Sequence, residues 1–91
     1  MTGQFSNNAA RHRYEYAVGA ETAFANYRVE NGVLYIDYVE APVALRGTGA
    51  AGALMQQVMD KARQDGRKVV PICGYAASWI RRHPEYDDLK G

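Results

Sequence analysis

The segment LRGTGAAGALMQQV, Leu45 to Val58, places glycines at positions 47, 49 and 52 and then changes to an apolar repeat of helical period. From Gly47 to Gly52 it spells GxGxxG, the turn of dinucleotide-binding folds, and from Arg46 to Ala51 it spells Arg-x-x-Gly-x-Ala. Ala51, Leu54, Met55, Val58 and Ala62 fall on one stripe of a helix that opens at Gly49, and Gly66 supplies its C-terminal cap. No Asp or Glu lies between Glu40 and Asp60. A helix N-terminus carries unpaired N–H groups worth about half a positive charge, so a turn without carboxylates leaves them for an external anion. Gly47, Gly49, Ala50, Ala51 and Gly52 are small enough for the backbone to approach that anion closely. The same residues also read as a plain connector.

Three strand-like runs precede the turn. RHRYEYAV alternates, with Tyr14, Tyr16 and Val18 on one face, and Gly19-Ala20 offers a turn. TAFANYRV puts Ala23, Ala25, Tyr27 and Val29 on one face, and Asn31-Gly32 supplies the positive-φ pair of a two-residue hairpin. VLYIDYVE returns as the third strand. After the helix comes KVVPIC, a short apolar strand reached by a crossover and therefore parallel to its predecessor. YAASWIRRH is a second helix, ended by Pro84, which disfavours helical geometry at His83. Residues 1 to 11 are polar enough to read as a flexible arm ahead of a single domain over residues 12 to 91.

Composition narrows the classes of function. With 91 residues, 47% of them hydrophobic, the chain forms one small globular domain. The net charge is +1 from 11 basic and 10 acidic residues in no long block, which gives no footprint for nucleic acid. No apolar run approaches a bilayer span, and the first residues lack a signal layout, so the expectation is a cytoplasmic protein without a membrane partner. Cys73, the one cysteine, makes no internal disulfide, and no metal site is expected. The seven tyrosines fit strand faces.

Spacing weakens the dinucleotide reading. A Rossmann turn begins at the end of a buried parallel strand and needs an acidic residue about 20 residues later, at the end of the next strand. Here Pro42 and further loop residues intervene, and the next strand ends in Cys73. A P-loop would require Gly-Lys-Ser/Thr, which is absent. Arg46-Gly47-Thr48-Gly49-Ala50-Ala51 instead resembles the Arg/Gln-x-x-Gly-x-Gly/Ala turn of the GNAT acetyltransferase superfamily. EAPVALRGTGAAGALM, KVVPIC and WIRRHPEY together look like its small single-domain members, over roughly residues 12 to 89. The resemblance implies an α/β (α+β) fold: a trimmed GNAT core of antiparallel strand meander, helix, parallel strand and short C-terminal helix.

The resemblance also implies acetyl-CoA as cofactor and an amine as acceptor. Its pyrophosphate would sit on Leu45, Arg46, Gly47, Thr48, Gly49, Ala50, Ala51 and Gly52, and a bulged strand end near Val39 or Glu40 would supply an oxyanion donor. Members of the family often carry His-Thr-Glu before the proline loop, whereas this chain has Tyr38-Val39-Glu40. Glu40 is then the candidate base, or a surface carboxylate at a strand end. Cys73 closes the parallel strand just before a helix, where α/β sheets bind ligands, and the resemblance puts it at the coenzyme A thiol end. It reads as an acetyl carrier, a cofactor contact, or a small buried residue. Arg81, Arg82 and His83 suit the end of a helix dipole, or one arginine faces a phosphate. Trp79, Ile80, Tyr75 and Ala76 divide between core and cofactor-side packing. Only EYDDLKG follows the second helix, so the acceptor side is open or completed in a homodimer, and an open side favours a protein or peptide amine. The remaining alternatives are a non-catalytic coenzyme A binding module and, less well supported, a nucleotide-binding fragment.

Overall fold

The computed structural model describes residues 3–91 and contains a five-stranded sheet in the order β1-β2-β3-β4-β5. The strands are β1 (Gln4–Asn8), β2 (Arg13–Val18), β3 (Glu21–Glu30), β4 (Val33–Glu40) and β5 (Val69–Pro71). Helix α1 (Ala50–Gln64) crosses from β4 to β5, and α2 (Gly74–Arg81) follows β5. The first four strands are antiparallel and β5 is parallel to β4, as the crossover requires. Asn31 (φ 53°) and Gly32 (φ 78°) form the turn between Glu30 and Val33, the left-handed pair that the hairpin demands.

The arm expected over residues 1 to 11 is corrected by β1, which pairs with β2 from Gln4↔Ala17 to Asn8↔Arg13. Met1 and Thr2 lie outside the described residues. QFSNN carries no apolar alternation because an edge strand is held mainly by its backbone ladder. Its side chains add a stack of Phe5 on Tyr14 at 5.4 Å and a 2.8 Å hydrogen bond from the Tyr27 hydroxyl to Asn7.

One apolar layer joins the sheet to the helices. Tyr14, Tyr16, Ala23, Ala25, Leu34, Ile36 and Val69 come from strands, and Leu54, Met55, Val58, Met59 and Ala62 from α1. Ala76, Trp79 and Ile80 of α2 complete it. Towards the Asn31-Gly32 end β3 leaves this layer, and Val29 is exposed. At the C-terminus Tyr86 and Leu89 are buried, Arg63 grips the Asp88 carboxylate at 2.7 and 3.0 Å, and Lys90 bridges alongside Val69.

A bulge in β4 sets the geometry of the site. Asn26 pairs with Tyr38 but Tyr27 pairs with Ile36, so Asp37 is the extra residue. Leu34 and Ile36 point into the core; past the bulge Val39 packs against it while Tyr38 and Glu40 turn outward. The bulge therefore sits at Asp37, slightly before the expected Val39 or Glu40. Pairing of β4 with β5 stops at Ile36↔Pro71, where the Ile36 carbonyl accepts from both Ile72 N (2.9 Å) and Cys73 N (3.0 Å). The strand expected through Cys73 thus ends two residues early, and beyond it the two strands part.

Burial raises the Tyr14 and Tyr86 phenols to about 12, with a 2.7 Å hydrogen bond to the Asp60 carboxylate adding to the shift at Tyr86. A folded pKa above the unfolded value makes the native state hold its proton longer. This stabilisation is fully present below about pH 10, the ordinary phenol value, and is lost as pH rises towards 12. Tyr86→Phe should cost about 1 kcal/mol at neutral pH and flatten the alkaline loss, measured by urea unfolding across pH 8 to 11.

Candidate functional site

The chain leaves β4 through Ala41 and Pro42, makes one 3-10 turn (Val43–Leu45), and enters α1 through Arg46 to Gly49. Leu45 is buried and anchors this loop to the core. Gly47 (φ 78°) and Gly49 (φ 88°) both adopt left-handed backbone, the conformation that glycine enters without steric cost. Between them the Thr48 hydroxyl donates to the Leu45 carbonyl and accepts from Ala50 N at 3.3 Å. Ala53 N bonds the Gly49 carbonyl at 2.9 Å. The amides of Gly47, Gly49, Ala51 and Gly52 have no acceptor among the described residues, and no acidic residue sits in the first turn of α1. A helix end with orphan donors and no carboxylate is an anion cradle.

These amides border an open cleft of about 300 Å³. Leu45, Arg46, Gly47, Gly49, Ala50, Ala51 and Gly52 line it, as do Ala41 and Tyr75. Thr48 lies behind the lining, its hydroxyl committed to the turn, and Val39 packs into the core. Ala41 carries no chemical signal in the sequence and joins the wall only because β4 ends there. The Arg46 Nε donates to the Ala41 carbonyl at 3.1 Å, and its guanidinium has no acidic partner among the described residues.

A separate cleft of about 320 Å³ lies between Phe5 and the polar side of α1. Its charged side chains are already engaged, Asp60 by Tyr86 and Lys61 by Asp65 at 3.1 Å.

Cys73 and Glu40 stand outside the turn, where β4 and β5 part. Cys73 is partly buried against the core and precedes the first residue of α2, two residues before Tyr75. Tyr38, 47% exposed, donates its hydroxyl to the Glu40 carboxylate. That bond is the main cause of an upward shift of the Tyr38 phenol, to which a charge on Cys73 adds. Burial raises the Tyr75 phenol, Arg82 opposes the shift, and Cys73 again contributes to it. The Ile36 carbonyl holds Cys73 N at 3.0 Å and Tyr38 follows Ile36 by two residues, which sets Tyr38, Glu40, Cys73 and Tyr75 around the end where the two strands part.

Beyond them, Arg82 donates to the Ser78 hydroxyl at 2.8 Å and Arg81 is exposed. His83 stacks on Trp79 with 3.7 Å between ring centroids, and Ala76 is fully buried. No cluster of metal-ligating side chains occurs among the described residues, and no described helix is long and apolar enough to cross a membrane.

Comparison with known proteins agrees with this architecture. The model of the GCN5-related N-acetyltransferase family matches residues 13–89. Among solved structures, a GCN5-like protein from Staphylococcus aureus, proposed as an N-acetyltransferase and determined by NMR, superposes with a TM-score of 0.69. It is 19% identical, with 97% of this chain and 87% of that chain covered, and so speaks for the fold alone. No curated protein matches. The strand meander, the bulged β4 parting from β5, the glycine turn and the family match lead to one assignment: the chain belongs to the GCN5-related N-acetyltransferase family.

Proposed function

We propose that this protein binds acetyl-CoA with its pyrophosphate on the Gly47–Gly52 turn and transfers the acetyl group to an amine, presented by a protein or peptide. The observation that carries the reading is the set of orphan amides at Gly47, Gly49, Ala51 and Gly52, beside two left-handed glycines and without a competing carboxylate. Arg46, free of an acidic partner among the described residues, adds a positive charge to the same edge.

The opening between β4 and β5 gives the thioester a path from the turn towards Cys73. In this reading the Cys73 sulfur attacks the thioester carbon, and the departing coenzyme A thiolate takes up a proton. The neutral amine then attacks the acetyl-cysteine, the C–S bond breaks to restore the thiolate, and Glu40 accepts the amine proton. Tyr38 stays protonated, since the hydrogen bond to Glu40 raises its pKa. It holds the carboxylate and does not act as a base. Exposed Tyr38 and Ile72 leave the neighbourhood open to a large acceptor.

The reading is tested by thiol release from acetyl-CoA with lysine peptides, N-terminal peptides and polyamines as acceptors. Acceptor-dependent release supports the enzyme; binding with no release from any acceptor points to the coenzyme A binding module instead. Ala51→Asp offers an independent check on the turn. A carboxylate in the first turn of α1 should stabilise the free protein by about 0.5 kcal/mol and weaken coenzyme A by roughly tenfold, because it occupies the field that the phosphates need. Unfolding curves with and without the ligand measure both.

A further inference from the structure

Trp79 is the single tryptophan of the chain and only 5% exposed. Its ring is clamped: His83 stacks on one face with 12° between the planes, Tyr86 tilts against it at 5.6 Å, and the His83 Nδ1 lies 2.7 Å from the Trp79 carbonyl oxygen. Buried indole N–H groups ordinarily find a partner. The Trp79 Nε1–H has none among the described residues, yet no polar side-chain atom there is both unpartnered and sealed from solvent. This donor therefore opens on the surface.

Its position is informative. A Cβ built on Gly52 would lie 3.5 Å from Trp79 Nε1. Gly52 lines the cleft that the orphan amides of α1 border, so the indole N–H lies next to one residue of its wall. Glycine inside a helix is less favourable than alanine, and 3.5 Å is ordinary contact that a methyl group would tolerate. What the missing methyl does is leave the N–H uncovered.

We infer that the Trp79 indole N–H is a further donor to the anion held at the N-terminus of α1, reaching a phosphate oxygen from the side of α2. This rests on the reading of the turn as a pyrophosphate site. It makes α2 a wall of that site as well as part of the core: Tyr75 lines the cleft itself, and Trp79, one helical turn later, would reach the anion past Gly52.

With one tryptophan, uniformly ¹⁵N-labelled protein shows a single indole resonance, which can be followed beside the backbone amides while coenzyme A, or inorganic pyrophosphate as a minimal probe, is titrated. The expected result is that the indole resonance moves with the same dissociation constant as the amides of Gly47, Gly49 and Ala51. Gly52→Ala should keep or raise the melting temperature of the free protein, remove the indole response, and weaken coenzyme A about tenfold, the scale of a lost hydrogen bond to a charged group. Trp79→Phe, which keeps a ring under His83, should weaken it similarly. An indole resonance that stays still at saturation while the turn amides move would overturn the inference and leave the pyrophosphate reading standing. Turn amides that also stay still would overturn both.

Discussion

After incubation with acetyl-CoA, the wild-type protein should gain one acetyl group by intact-protein mass spectrometry, and Cys73→Ser should gain none. The variant should also lose acceptor-dependent transfer by more than about 100-fold while binding coenzyme A within a few fold, because serine keeps the size of the side chain but supplies no thiolate. Glu40→Gln separates the two half-reactions. It retains the hydrogen-bond acceptor facing Tyr38, should still form the acetyl adduct, and should slow transfer to the amine by about 100-fold through loss of the proposed proton acceptor. The combination is diagnostic of the route. Substantial turnover in Cys73→Ser with a large loss in Glu40→Gln would assign direct attack of the amine on the thioester, and adduct formation unaffected by Cys73→Ser would place the acetyl group elsewhere.

Coenzyme A at about 100 times its dissociation constant should stabilise the folded state by roughly 2.7 kcal/mol, and Gly49→Val should abolish that gain. Gly49 precedes the first residue of α1 with φ 88°, a region that costs an L-residue on the order of 1–2 kcal/mol and a β-branched one more. The valine either strains the turn or turns its amides away, and its side chain fills the space of the phosphate. Thermal unfolding with and without coenzyme A reads both effects, with NAD as the control that should give no comparable shift. A full coenzyme A shift in Gly49→Val, or an equal shift with NAD, would remove the pyrophosphate from this turn.

Chemistry tied to local backbone was legible before any coordinates. The GxGxxG letters, the absence of acid from Glu40 to Asp60 and the helical stripe after Gly49 marked a helix start with open amides, and the fold contains one. The Asn31-Gly32 hairpin, the stop before Pro84 and the parallel return at Val69 were readable for the same reason, since each depends on a few neighbouring residues. Strand β1 was not, because QFSNN has neither an apolar face nor turn chemistry and becomes a strand only when β2 offers its edge.

What the sequence by itself determined is the set of local preferences: where strands alternate, where α1 begins, and that its first turn carries no charge of its own. Only the tertiary structure decided which side chains meet. The bulge at Asp37 turns Tyr38 and Glu40 outward against the simple alternation of VLYIDYVE, and the forked bonding of Ile36 parts β4 from β5 beside Cys73. The crossover then lays α2 against α1, so that an indole 27 positions away in the chain comes to rest beside Gly52. Periodicity records the face on which a residue lies within its own element. The packing of one element on another is a long-range balance of burial and register, and no short window of sequence contains it.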